Sequence, residues 1–211
     1  MKKIRNRKTV YFYNHFEYNG EWLKVIQGDK GLYIQILDAV IEQLDIAISI
    51  HKRVLVYRFD LHVNYYEDDN KRLTKLINRL KLWLLRNYDI KNIGHIWVRE
   101  KEASKKQHYH CALYLDGNKI QHPKKLTPEI KKMWMAHGHM PVIKNPYYYI
   151  EHNNRLTKRL DAIERLSYLA KVRGKGYRNP QAKDYGASRM KIKLISNKTQ
   201  PLQLGTTVFE N

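Results

Sequence analysis

The pair His108 and His110 carries the clearest chemical pattern in the sequence. Both histidines lie in Gln107–Leu115, an apolar run that ends at the turn-forming residues 116–118 and is typical of a β-strand. Side chains two residues apart on a strand project from the same face, so both imidazoles point to one side. Imidazole nitrogens are common ligands of divalent metal ions, and the pair therefore predicts half of a metal site.

Glu100 is the predicted third ligand. The polar residues 101–106 join a second strand, Ile93–Arg99, to the histidine strand, which favours an antiparallel hairpin. With the turn centred near Ser104, Glu100 lies directly opposite His108 and within reach of both histidines. A slip of one residue would turn Glu100 to the other face. The pattern would then describe a solvated glutamate beside two surface histidines.

Two imidazoles and one carboxylate suit a divalent ion that keeps open positions for substrate. Imidazole ligands favour Mn, Zn, Ni or Co, whereas Mg prefers oxygen. We expect Mn²⁺ or Mg²⁺ as the cofactor, and the sequence leaves the native metal open.

A second pattern, Tyr168 followed by Lys171, lies in a predicted helix over residues 154–172. Residues three apart share a helix face, and Tyr168 falls off the apolar stripe of this helix. A tyrosine hydroxyl can act as a nucleophile, and a lysine ammonium can stabilise negative charge. An exposed tyrosine without a function is the alternative, and Tyr177 and Tyr185 are rival nucleophiles.

A second pair of histidines lies in His137–His139. Pro128 predicts a helix that runs to the first of these histidines, with Gly138 as its stop, so we assign the pair no metal. His62 is the better candidate for a further polar group near the metal. This prediction requires the strand of His62 to lie beside the histidine strand.

The remaining elements must position these residues. Residues 31–50 carry an apolar stripe with helical spacing, Arg53–Val63 alternates as a strand, and residues from about 70 to 87 form an amphipathic helix. Met140–Ile150 holds a further strand interrupted by two prolines. The order strand, helix, strand, strand, helix, strand, helix predicts an α+β fold with a ferredoxin-like or RRM-like antiparallel sheet, helices on one side and an N-terminal helical extension.

The charge of the chain predicts a polyanionic partner. Lysine and arginine number 40 against 20 acidic residues, which gives a net charge of +20 over 211 residues. Nucleic acid is the usual partner of such a chain, and a solubilising surface is the alternative. We expect the C-terminal residues Arg173, Lys175, Arg178 and Arg189 to hold phosphates without reading sequence.

Targeting signals are not expected. Met1–Arg5 is basic but no apolar run follows it, and no segment reaches the roughly 20 apolar residues of a membrane span. Cys111 is the only cysteine, which excludes a disulfide and a cysteine-based zinc site within the chain. We expect an intracellular protein.

Paired strand histidines, a glutamate on the partner strand and a downstream Y-x-x-K helix resemble the three-motif pattern of the HUH endonucleases. Val98–Glu100 with the histidine pair is similar to the replication initiators of small single-stranded DNA viruses. Over Arg58–Met190 the chain resembles the replication proteins of filamentous phages (inoviruses) and of related prophage elements in bacteria. Tyr168–Lys171 and Tyr185–Arg189 carry that longer resemblance.

The resemblance implies a rolling-circle replication initiator. Tyr168 would attack a phosphate of single-stranded DNA at a replication origin, giving a 5′-phosphotyrosyl link and a free 3′-OH, and Lys171 would stabilise the developing charge. A host helicase would be the partner, in the cytoplasm of the bacterial host cell. Arg58–His62 corresponds to the family's first motif, from which Asp60 and His62 depart. We assign these two only a supporting place near the metal.

The same reasoning divides the chain into a basic, helical N-terminal extension (1–50), an HUH-type nuclease core (51–173) and a basic C-terminal tail (174–211). Two other functions remain open. One is a non-catalytic DNA-binding regulator on the same fold, with a vestigial site. The other is a hydrolytic metal-dependent nuclease with no covalent step.

Overall fold

A computed structural model describes residues 9–26, 28–101 and 106–190 of the chain. Within these residues the strands are β1 (Val10–Tyr11), β2 (His15–Tyr18), β3 (Glu21–Lys24), β4 (Leu32–Tyr33), β5 (Val54–Val63), β6 (Gly94–Glu100), β7 (His108–Asp116), β8 (Gly138–His139), β9 (Tyr147–Ile150) and β10 (Tyr185–Ala187). The helices are α1 (Ile34–Ile50), α2 (Lys71–Tyr88), α3 (Leu126–Trp134) and α4 (Arg155–Ser167). No helix in these ranges is both long enough and apolar enough to cross a membrane.

The central sheet holds six strands in the order β10-β6-β7-β5-β8, and β9 also pairs with β5. Every pairing in this sheet is antiparallel. The unit β5-α2-β6-β7-α3-β9, with the spatial order β6-β7-β5-β9, has the connectivity of a ferredoxin-like split unit. The predicted α+β class is confirmed.

Helices cover both faces of the sheet, which corrects the prediction of helices on one side. Val54 and Val56 of β5 join one hydrophobic core with residues of α1 and α4. Leu55 and Tyr57, which alternate with them, join a second core with residues of α2 and α3. The unbroken apolar run at the start of β5 indicated this arrangement in the sequence, because a strand buried on both faces does not alternate between apolar and polar residues.

The segments before and after the predicted nuclease core are built into the same structure. Helix α1 shares its core with α4 and the sheet, and Leu32 of β4 bridges to Lys171. The amide of Val172 donates to the carbonyl of Gly31 at 3.0 Å. Strand β10, in the predicted basic C-terminal tail, pairs with β6. The boundaries predicted at residues 50 and 173 therefore fall between segments that are in direct contact.

Gly138 has a different role from the one predicted. Helix α3 ends at Trp134, and Gly138 belongs to β8, where it pairs with Val63. A Cβ added to Gly138 would lie 1.9 Å from the carbonyl oxygen of His62. The glycine therefore permits a close approach of two strands and does not end the helix.

Burial of His95 makes the stability of the fold depend on pH. His95 pairs with Leu113 on the face covered by α2. Burial lowers its pKa from 6.5 to about 4, and Lys81 acts in the same direction. The unfolded chain takes up this proton near pH 6.5, whereas the folded chain does so only near pH 4. The unfolded state is therefore favoured as the pH falls between these values.

We predict that replacing His95 by Gln reduces the loss of unfolding free energy between about pH 7 and about pH 5 by about 2 kcal/mol. Urea unfolding at the two pH values measures this difference. His122→Gln, at an exposed position, should lose as much stability as the wild type. Equal losses in wild type and His95→Gln would contradict the prediction.

Candidate metal centre and active site

The strand register places five polar side chains on one face of the sheet. Glu100 of β6 pairs directly with His108 of β7, as the sequence predicted. On the other side of β7, Asp60 and His62 of β5 pair with His110 and His108. Directly paired residues of antiparallel strands share a face. Three neighbouring strands thus supply one polar area.

Glu100, His108 and His110 form the Glu–His–His cluster. Each contributes one ligand atom, and these atoms lie within 4.8 Å of one another. Oε2 of Glu100 is 3.5 Å from Nε2 of His108 and 3.4 Å from Nε2 of His110. The predicted metal triad is therefore assembled in the structure.

The second nitrogen of each imidazole faces an acceptor. Nδ1 of His108 lies 3.2 Å from the carbonyl oxygen of Lys106. Nδ1 of His110 lies 2.8 Å from Oδ1 of Asp60, a contact that is short but poorly aligned for a hydrogen bond. Because a carbonyl and a carboxylate only accept, these contacts favour the tautomer with the proton on Nδ1 in both rings. Both Nε2 lone pairs then face the oxygen of Glu100.

This donor set fits a divalent ion. Nε2 of the buried His110 has no hydrogen-bond partner among the described residues, so its lone pair is available. Asp60 behind His110 reproduces the carboxylate–histidine arrangement that orients imidazole ligands toward a metal. The finding supports a metal site and leaves the identity of the ion open.

Both carboxylates of the site are held in the ionised form. Burial by itself raises the pKa of Glu100, but the contacts with His108 and His110 and the charge of Lys175 hold it well below its usual range. Burial also raises the pKa of Asp60, and the contact with His110 lowers it to below the ordinary value. Ionised carboxylates are the form that binds a cation.

Tyr168 lies where α4 ends, and its ring reaches the cluster. The helix ends at Ser167, and Tyr168 begins a 3₁₀ turn instead of continuing the predicted helix. The ring centroids of Tyr168 and His110 are 5.3 Å apart in an edge-to-face arrangement. Nζ of Lys171 lies 4.2 Å from the centroid of the Tyr168 ring. Burial, followed by the charge of Glu100, raises the pKa of Tyr168.

The rival tyrosines lie near the same end of β6. Tyr185 pairs with Val98, two residues before Glu100. Tyr177 directly follows Gly176, whose amide donates to the side chain of Asp184, and the carbonyl of Asp184 accepts from the amide of Arg99 in β6. Both residues therefore stay rival nucleophiles that a chemical experiment must separate from Tyr168.

Arg58 is a functional candidate to which the sequence analysis gave no role. Its side chain is buried, with the guanidinium carbon 4.7 Å from the centroid of the Tyr168 ring and Nη2 3.4 Å from Oδ2 of Asp60. Nε and Nη1 have no hydrogen-bond partner in the described part of the chain. A guanidinium with unused N–H groups is suited to a phosphate. In the sequence, Arg58 could have been recognised as a basic residue in an apolar strand, on the same face as Asp60 and His62.

Lys175 occupies a place that the sequence analysis did not anticipate. Its side chain is fully buried, with Nζ 2.7 Å from Oε1 of Glu100, and it also donates to the carbonyl of Lys171. The flanking Gly174 and Gly176 have φ values of +77° and +89°. A Cβ on Gly174 would lie 3.1 Å from the Cβ of Glu100. Lys175 is therefore a partner of the cluster and does not lie on an exposed DNA-binding tail.

The three arginines predicted to contact DNA differ in their exposure and in their contacts within the fold. Arg173 and Arg189 are exposed, as the prediction requires. Nε of Arg178 lies 2.8 Å from Oδ1 of the buried Asp184, so this guanidinium is bound within the fold. The exposed pair is therefore the better candidate for contacts with phosphates.

His62 lies beside the cluster, in the position that the sequence analysis considered for it. Its ring centroid is 5.3 Å from that of His108 and 4.7 Å from that of His139. His139, which was assigned no metal from the sequence, is brought next to His62 by the pairing of β8 with β5.

Fold and site define an α+β protein with a two-histidine, one-carboxylate cluster of the kind that holds a divalent ion. The sequence model of the family described as YagK/YfjJ C-terminal domain matches residues 17–188, and the chain belongs to this family. The match fits a protein of a bacterial prophage-like element. No curated protein and no solved structure gives a significant match.

Asp60 should control metal affinity through His110. We predict that wild-type protein binds Mn²⁺ and that Asp60→Asn weakens this binding by about 10- to 100-fold, because the imidazole loses its orienting carboxylate. Isothermal titration calorimetry with Mn²⁺ measures the affinities. Asp68→Asn, at an exposed position, should bind as the wild type does, and replacing both His108 and His110 by Ala should abolish binding. A wild type that takes up no Mn²⁺, or an Asp60→Asn variant that binds it as tightly, would show the prediction to be wrong.

Lys175 should stabilise the fold by neutralising Glu100. Lys175→Met keeps the length of the side chain but removes its charge, so the buried carboxylate of Glu100 loses its ammonium partner. We expect this change to lower the free energy of unfolding by about 3–5 kcal/mol. Urea unfolding without metal measures the change, and Lys183→Met, at an exposed position, is the matched control. Glu100→Gln combined with Lys175→Met should recover much of the loss, because no unpaired charge remains. The idea fails if Lys175→Met alone is as stable as the wild type.

Proposed function

We propose that the protein is a metal-dependent endonuclease and strand transferase that nicks and rejoins single-stranded DNA in rolling-circle replication. The observation that carries this proposal is the position of Tyr168, whose ring lies 5.3 Å from that of His110 and 4.7 Å from the guanidinium carbon of Arg58. A nucleophile, a metal-type cluster and a guanidinium with two unpaired nitrogens are thus adjacent.

Glu100, His108 and His110 would hold the ion. A divalent ion bound there supplies Lewis-acid polarisation of a phosphate. The two imidazoles favour Mn²⁺, whereas a phosphate oxygen and the carboxylate are also acceptable to Mg²⁺. We therefore keep Mn²⁺ or Mg²⁺ as the expected cofactor.

The proposed reaction is a transesterification. Oη of Tyr168 forms a bond to phosphorus while the bond from phosphorus to the 3′ oxygen of the preceding nucleotide breaks. The phenol loses its proton and the 3′ oxygen takes one up, so the step needs neither water nor a redox partner. Attack by a 3′-OH on the 5′-phosphotyrosine reverses the step and rejoins the strand, because the covalent link conserves the bond energy.

Two cations flank the reacting groups. Arg58 would donate its unused Nε and Nη1 hydrogens to the scissile phosphate. Lys171, with Nζ 4.2 Å from the centroid of the Tyr168 ring, would offset the negative charge that develops at the phosphate. The net charge of +20 favours the approach of the DNA strand itself.

A hydrolytic nuclease is the second candidate, and one observation favours it. Burial and Glu100 raise the pKa of Tyr168, which disfavours the phenolate. Attack by water in place of tyrosine would cut the same bond without attaching DNA to the protein. The two candidates therefore differ in their products.

We predict a covalent adduct between the wild-type protein and circular single-stranded DNA of mixed sequence in the presence of Mn²⁺. A denaturing gel should show a slower protein band that disappears on nuclease treatment. Tyr168→Phe should give no adduct, because the nucleophilic oxygen is absent, and Tyr65→Phe, which changes a 79% exposed tyrosine, should react as the wild type does. Arg58→Lys should lower the rate of adduct formation by about 10²-fold, because an ammonium group cannot reproduce the planar fork of N–H donors that a guanidinium directs at the phosphate.

The outcomes of this experiment separate the candidates. DNA that is cut without any adduct supports the hydrolytic nuclease. DNA that is bound but never cut by folded, Mn²⁺-loaded protein supports a regulator. An adduct that persists in Tyr168→Phe would contradict the assignment of the nucleophile.

A further inference from the structure

A groove of about 710 Å³ lies between strand β9 and helix α4. We call it the β9–α4 groove. Its lining includes Pro146, Tyr148, Lys158, Asp161, Glu164 and Arg165.

The β9–α4 groove lies next to Tyr168. Arg165 lies in the last turn of α4, three residues before Tyr168, and its charge acts on both Tyr168 and Arg58. Asp161 is about 10 Å from Tyr168 along the helix axis. On the opposite wall, the carbonyl of Pro146 accepts a hydrogen bond from the backbone amide of Arg58 at 2.7 Å. A strand whose phosphate reaches Tyr168 therefore has its neighbouring nucleotides within reach of the groove.

The charges in the groove are mixed. Lys158 lies 3.0 Å from Asp161 and Lys24 lies 2.9 Å from Glu164, and all four side chains are at least one-third exposed. Exposed ion pairs of this kind contribute little to stability, so a ligand can replace them. Two carboxylates would repel a phosphate. Such walls would instead recognise a neutral ligand that carries both hydrogen-bond donors and hydrogen-bond acceptors.

Arg165 and Tyr148 add further features of a ligand site. Nη2 of Arg165 donates to the carbonyl of Lys144 at 2.9 Å, but its buried Nε has no hydrogen-bond partner among the described residues. Tyr148 packs on the core with its ring half-buried, and the charges of Arg165 and Asp161 act on its hydroxyl. An aromatic ring beside unused polar groups suits a flat heterocycle.

We propose that the β9–α4 groove binds one nucleobase of the strand that Tyr168 attacks, and that it selects a base with an exocyclic amino group over thymine. Asp161 and Glu164 accept from the amino group, as carboxylates do with cytosine N4, while Arg165 or Lys158 donates to a ring nitrogen or carbonyl of the same base. This inference rests on the proposed function and deepens it, because it makes the groove a determinant of where the strand is cut.

Sequencing of the products from random-sequence single-stranded DNA, nicked with Mn²⁺, tests the inference. Both the protein-linked and the released strands are read. The wild type should deplete thymine about tenfold at one position near the nick, the discrimination expected of one well-placed polar contact. Asp161→Asn combined with Glu164→Gln should lose this depletion among the adducts that it forms, and Arg165→Gln should weaken it. Lys132→Gln, on the opposite face in α3, is the matched control and should keep the wild-type profile.

The experiments distinguish a wrong inference about the groove from a wrong proposal about the nicking reaction. Adducts without any base preference, or with one that the double variant retains, would overturn the inference and leave the proposed function standing. If the wild type forms no adduct, fluorescence anisotropy with poly(dC) and poly(dT) decides. Binding of poly(dC) about tenfold tighter than poly(dT), lost in the double variant, supports the groove. Equal binding of the two by the wild type overturns it. Thermal unfolding by circular dichroism verifies that the variants are folded.

Discussion

The antiparallel register of β6, β7 and β5 is the constraint on which the site depends. His108 pairs with Glu100 on one side and with His62 on the other, and the next residue on the same face, His110, pairs with Asp60. A shift of one residue would exchange every side chain between the two faces. Both faces carry a large apolar core, so such a shift would also bury polar groups in those cores. The hydrophobic cores therefore fix the candidate ligands before any ion binds.

Charge neutralisation is the second requirement, because the site buries two carboxylates. An isolated buried ion costs several kcal/mol, and each carboxylate here has a cationic neighbour. Lys175 lies 2.7 Å from Oε1 of Glu100, and Arg58 lies 3.4 Å from Oδ2 of Asp60. The lysine occupies one oxygen of Glu100 and leaves Oε2 on the side of the histidines. One residue of β5 and one of the C-terminal segment thus neutralise a cluster carried by three central strands.

Local periodicity explains which parts of the site could be predicted from the sequence. A strand has a fixed period of two, so the spacing of His108 and His110 predicted that they share a face. The short hairpin then predicted that Glu100 lies opposite them. Lys175 could not be found in this way, since its contact joins residues 75 positions apart in sequence. The helices on both faces of the sheet were missed although the apolar run at the start of β5 indicated burial on both sides of that strand. Periodicity identifies the buried side of α1, but only tertiary packing determines which face of the sheet it covers.

We propose that Tyr168 and the Glu–His–His cluster form one active site. Peptide mapping of the purified protein–DNA adduct by mass spectrometry tests this proposal. We expect a nucleotide phosphate on Tyr168 alone, in an adduct whose formation requires a divalent ion. A phosphate on Tyr177 or Tyr185, or an adduct that forms equally well with excess chelator, would contradict it.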